Sequence, residues 1–173
     1  MFRHVKILSA LLLVLLTILF VFARGPFVIV TFFIATILVA LLINISKIRI
    51  FGIEFATFLG VVTAIAYDPL TGAILSAILI TVHMLIANYT GPYMVWVIPS
   101  YAVGSYVAGL IGGGVATTGL YATILIDGIC LLFTMIFYRQ HIGAYAPYIL
   151  TNVVINFLMF SAFGEGVLAL LKI

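Results

Sequence analysis

Residues 27–45 read FVIVTFFIATILVALLINI, a run with no charged side chain and one amide, Asn44, near its end. A helix crossing a bilayer needs about 20 mostly apolar residues. The run meets that length, and its flanks mark its ends. Arg24-Gly25-Pro26 precedes it as a tight polar turn, with proline suited to the first turn of a helix. Ser46-Lys47-Ile48-Arg49 follows it as a charged connector.

The same alternation of long apolar run and short break continues in both directions. Spanning segments are predicted at about 7–23, 27–45, 50–67, 71–88, 94–111, 117–138 and 145–171. Asp68-Pro69 separates the third from the fourth, because proline disfavours helix at the residue before it. Asn88-Tyr89-Thr90-Gly91-Pro92 is a turn cluster. Gly112-Gly113-Gly114 and Tyr138-Arg139-Gln140-His141 close the fifth and sixth segments. Such short loops imply antiparallel neighbours in a compact bundle.

Composition agrees with this reading. The chain is 66% hydrophobic and 6% charged, whereas a water-soluble domain carries about 25% charged residues. Lipid must therefore solvate most of the surface. The expected fold is all-α: a polytopic integral membrane bundle of six or seven transmembrane helices, with residues 1–173 as one domain. The net charge of +3 comes without a basic run, which excludes a nucleic-acid face. Cys130 is the single cysteine, so an internal disulfide and a cysteine-cluster metal site are excluded. His4, His83 and His141 are not paired at helical spacing, and no metal site or cofactor is expected.

The run from Ile7 to Ala23 follows Arg3, His4 and Lys6, and Val21-Phe22-Ala23 fits a signal-peptidase pattern. It is longer than an ordinary signal-peptide core of about 7–15 residues, and a retained helix is expected. With seven helices and a cytoplasmic N-terminus, Arg3, Lys6, Lys47, Arg49 and Arg139 lie inside, while Arg24 and Lys172 lie outside. The expected location is the cell membrane. Trp96, Tyr89, Tyr93, Tyr138, Tyr145 and Tyr148 fall near segment ends, where interfacial aromatic belts form.

Polar residues inside the apolar segments are the candidate site. Asp127 lies near the middle of the sixth segment, where a charge costs at least about 2.5–3.5 kcal/mol and must face the bundle interior or water. A ligand contact, a proton site, a buried neutral carboxylic acid and an interhelical hydrogen bond are all open to it. Asn152 and Asn156 are four residues apart and share a helix face. His83 is the other intramembrane polar candidate, and Tyr93, Trp96 and Tyr101 can wall one end of a pocket. Glu54 and Glu165 lie closer to segment ends and are expected at the interface, Glu54 within reach of Lys47 or Arg49. Gly104, Ala108 and Gly112 recur every four residues, a pattern that lets helices approach closely either within the bundle or at a membrane partner. Enzyme motifs are absent: there is no Gly-x-Ser-x-Gly, no phosphate-cradling loop and no plausible pair of catalytic carboxylates. No catalytic residue is assigned.

From Phe51 to Gly113 the chain runs Phe51-Gly52-Ile53-Glu54, a short apolar helix, Tyr67-Asp68-Pro69-Leu70-Thr71-Gly72-Ala73, another helix, a Gly/Pro turn and a glycine-rich helix from Tyr101. This stretch resembles the substrate-binding (S) components of energy-coupling-factor vitamin transporters, which often carry a Gly-Pro-x-x-Gly-Ala turn. Pro69, Gly72 and Ala73 match that turn, and Asp68 stands in place of its first glycine. The resemblance implies a six-helix, almost loopless subunit that binds a vitamin-like solute. Asp127, Asn152, Asn156, His83, Trp96, Tyr93 and Tyr101 would be its ligand-binding residues. It also implies a separate transmembrane scaffold and two ATPases as partners. In that family the turn is cytoplasmic, whereas the charge count puts Asp68-Pro69 outside. The same glycine pattern resembles the small membrane subunit of rod-shape complexes, which implies instead a scaffold that transports nothing.

Overall fold

The computed structural model describes residue 17 and residues 23–46, 52–139 and 142–172. The expected segment 7–23 lies outside these residues apart from Thr17 and Ala23, as do Lys47, Arg49 and His141. The described residues form helices α1 (Arg24–Ser46), α2 (Ala56–Ala66), α3 (Pro69–Ile86), α4 (Met94–Ile111), α5 (Val115–Phe137) and α6 (Ile142–Leu171). Five of them are long and apolar enough to cross a membrane. The protein is thus a multi-pass helical membrane bundle. Its outer surface is apolar in the way lipid requires: Leu38, Leu42, Ile45, Leu132, Ile136 and Leu158 are all exposed.

The exception in length is α2. The predicted span at 50–67 is instead an 11-residue helix preceded by the non-helical segment 52–55. At 1.5 Å per residue α2 rises only about 16 Å, roughly half the hydrocarbon thickness. It is nevertheless the centre of the bundle. Every residue from Ala56 to Ala64 is buried, and α2 packs on α3, α4, α5 and α6. Irregular backbone is tolerated at membrane depth only inside protein or beside a cavity, and here protein supplies the partners. The Gly52 amide donates to Thr151 Oγ1 of α6 at 2.9 Å, and the Thr57 amide in the first turn of α2 donates to Glu54 Oε2 at 2.9 Å.

Small residues bring α2 and α3 together. A Cβ on Gly72 would stand 2.4 Å from the Ala64 Cβ and 2.5 Å from the Gly60 carbonyl oxygen. Gly60 in turn meets Ser76 and Ser105, so α2, α3 and α4 cross at one tight point. Gly104 and Ala108 are buried; Gly104 lies under Ile126 of α5 and presents no face to a partner in the lipid. Gly112, with φ +64°, ends α4.

The bundle has two distinguishable ends. One holds Arg24, the Tyr67–Pro69 turn, Gly112–Gly114 and Lys172. There the Asp68 side chain accepts from both the amide and the hydroxyl of Thr71, capping α3 ahead of Pro69. These two bonds from Thr71, the hydroxyl's the stronger, hold the exposed Asp68 carboxyl below its ordinary value of 3.8. The cap therefore contributes stability at neutral pH, keeps it down to about 3.8, and loses it as pH falls further through the lowered folded value. The stability difference between the native chain and Asp68→Ala is expected to shrink over that acid range; an undiminished difference would refute the ionic cap. At the same end Glu165, exposed as expected, accepts from the Val115 amide at the start of α5 at 3.4 Å.

The opposite end holds Ser46, the α3–α4 connector, Arg139 and the start of α6. Asn88, at φ 58°, turns the chain there. The Tyr89 amide donates to the Met84 carbonyl and the Asn88 amide to Leu85, a Schellman stop to α3. That stop throws Tyr89–Tyr93 across the end of the bundle.

Candidate functional site: an aromatic cavity above a buried carboxyl–amide chain

Beneath this connector, between α3, α4, α5 and α6, lies a cavity of about 440 Å³. Seven aromatic side chains line it: Tyr89, Tyr93, Trp96, Tyr101, Tyr138, Tyr145 and Tyr148. His83, Thr90 and Thr134 add polar groups, and among the described residues no Lys, Arg, Asp or Glu takes part. The rings are mutually braced. Tyr145 and Tyr148 stack at 5.5 Å between centroids, and Trp96 packs on Phe133, Phe137 and Tyr138. His83 is 3% exposed and its Nδ1 has no hydrogen-bond partner. The Trp96 indole nitrogen is also unpartnered. Buried polar atoms are normally satisfied, and both of these belong to residues that line the cavity.

Of the residues expected to bind ligand, His83, Tyr93, Trp96 and Tyr101 line this cavity. Asp127, Asn152 and Asn156 do not; they form a second feature below it. Asn152 Nδ2 donates to Asp127 Oδ1 at 3.1 Å and Oδ2 at 3.2 Å, joining α6 to α5. Asn156 Nδ2 donates to Asn152 Oδ1 at 2.7 Å and reaches Glu54 Oε1 at 3.4 Å. The chain therefore runs Asp127, Asn152, Asn156, Glu54 and ends on the Thr57 amide of α2. Asn156 Oδ1 is left unpartnered.

Glu54 corrects the expectation of an interfacial carboxylate. It is 0% exposed, and it is held by Thr57 and Asn156. Its position follows from Gly52: a Cβ there would lie 2.5 Å from the Asn152 Cβ and 2.7 Å from the Tyr148 carbonyl, so only glycine lets residues 52–55 lie against α6. The sequence signal for Glu54 was its place three residues before Thr57, where a carboxylate can cap a helix start. Of the residues expected in interfacial belts, Tyr89, Tyr138, Tyr145 and Tyr148 also line the cavity. The signal for Tyr148 was its four-residue spacing from Asn152 and Asn156 on one face of α6.

The cavity floor joins the two features. The Tyr101 and Tyr148 hydroxyls are 3.5 Å apart, and Tyr148 lies one turn from Asn152. Glu54 and Asp127 are both close enough to act electrostatically on these two hydroxyls. Among the described residues no Lys or Arg pairs with either carboxyl; Arg24, Arg139 and Lys172 all sit at helix ends. No group of three or more His, Cys, Asp or Glu that could hold a metal ion occurs among the described residues.

Compared with known proteins, the chain matches no family model, no curated protein and no solved structure.

Proposed function

We propose that the chain is the membrane-embedded solute-binding subunit of an energy-coupling-factor type uptake transporter. The cavity carries this reading: it has the size and largely apolar wall of a small-molecule site, with few placed polar groups, and an orphaned His83 Nδ1 on its wall. In this reading the subunit performs no chemistry, and a separate transmembrane scaffold with ATPases supplies the energy. Native mass spectrometry of the gently purified protein tests it. A co-purifying small molecule is expected, with ATPase subunits as stronger support; repeated empty spectra with only envelope proteins attached would overturn it.

Orientation is part of the same proposal. The S-component pattern places the Asp68-Pro69 turn in the cytoplasm and so the cavity outside. The Lys/Arg count favours the reverse, because Arg139 lies at the cavity end. A cysteine introduced at the exposed Thr90, in a Cys130→Ala background, decides between them. Labelling by an impermeant maleimide from outside is expected for an uptake subunit, and labelling only from the cytoplasm would refute that direction of transport.

One observation favours the scaffold reading. Asp127 makes an interhelical hydrogen bond, which a purely structural protein would also use. That reading leaves the cavity and its orphaned polar atoms unexplained.

A further inference from the structure

We infer that the cavity selects an organic monocation: a flat aromatic body bearing a protonated, N–H-donating group. This inference rests on the cavity being a solute site and adds the charge and shape of the solute. The aromatic wall is the first reason. Ring faces carry negative potential, and a cation held over several of them is attracted without any countercharge in the wall. The second reason is the pair of carboxyls behind the floor. All four oxygens of Asp127 and Glu54 accept N–H donors, and among the described residues no Lys or Arg pairs with them. A cation above Tyr101 and Tyr148 would be attracted to these carboxyls through a medium where water screens little. An anion in the same place would be repelled by the two carboxyls behind the floor.

The third reason is independent of both. His83 Nδ1 is buried on the wall and unpartnered. With the proton on Nε2 and the ring turned toward the cavity, Nδ1 would accept an N–H donor of the solute. The stacked Tyr145–Tyr148 pair, nearly parallel at 12°, offers a flat face to an aromatic body.

Three probes of one shape separate charge from fit: 2-naphthamidine as its cation, neutral 2-naphthamide and anionic 2-naphthoate. Binding to the full-length protein in nanodiscs is read by calorimetry. The cation is expected to bind about tenfold or more tightly than the amide, and the carboxylate to bind weakest. Asp127→Asn and Glu54→Gln remove the charge at nearly constant size, each replacing one accepting oxygen with an amide nitrogen. Each is expected to cut the preference for the cation severalfold while leaving amide affinity unchanged, which also reports that the variant is folded. Amide binding as tight as the cation, or a preference untouched in both variants, overturns the charge selection and leaves the solute site standing. No binding by any of the three overturns the inference together with the solute-site reading.

Discussion

Gly72→Val is expected to destabilise the bundle by about 3 kcal/mol or more, at or above the upper end of ordinary overpacking. The first added carbon would already stand 2.4 Å from the Ala64 Cβ, 2.5 Å from the Gly60 carbonyl oxygen and 2.6 Å from the Ala64 Cα. Two of those three are backbone atoms that no rotamer change can move. Relief requires α2 to separate from α3, and α2 is the helix that every other core contact surrounds. In lipid no hydrophobic force draws two such helices together; close packing does, and it is what a larger residue removes. Reversible unfolding in mixed detergent–SDS micelles measures the loss. Gly128→Ala is the control, since that glycine is exposed on α5 with nothing within 4 Å of an added Cβ. A Gly72→Val midpoint equal to the native one would show that α2 and α3 do not meet as described.

The second large effect is expected from Asn152→Leu. Its amide is the bond between Asp127 and α6, and its carbonyl receives Asn156. Ordinary interhelical hydrogen bonds in membranes average only about 0.6 kcal/mol. Removing the hydrogen-bond donor of a buried carboxylate is a different matter and costs about 1.5–3 kcal/mol, because the acceptor is left unsatisfied. The double variant Asp127→Leu/Asn152→Leu deletes both partners and is expected to recover most of that loss, since an apolar pair of similar volume is as well accommodated as the polar one. A cycle of the two single variants and the double variant gives the coupling directly. A loss of about 1 kcal/mol or less for Asn152→Leu would mean that Asp127 sits there as a neutral acid sharing an ordinary hydrogen bond.

The membrane bundle was legible from residue order alone, because a bilayer demands one simple thing: long apolar stretches with their polar groups gathered at the breaks. Segment 94–111 matches α4 to the residue, and 27–45, 71–88, 117–138 and 145–171 lie within three residues of α1, α3, α5 and α6 at each end. The polar residues on helices were legible for the same reason. Asp127, Asn152 and Asn156 stand out against an apolar background, and a four-residue spacing places the two amides on one face.

What escaped was whatever depends on which helices become neighbours. Hydropathy cannot tell a half-length helix at the centre of a bundle from a full span, so α2 and the segment before it were hidden in the run at 50–67. Glu54 looked interfacial because its depth is set by Gly52 lying against α6, about 100 positions away in sequence. The tyrosines near helix ends suit an aromatic belt and a cavity equally well. Whether each ring faces lipid or solute is decided by the rotation of its helix in the packed bundle, which only the tertiary contacts specify.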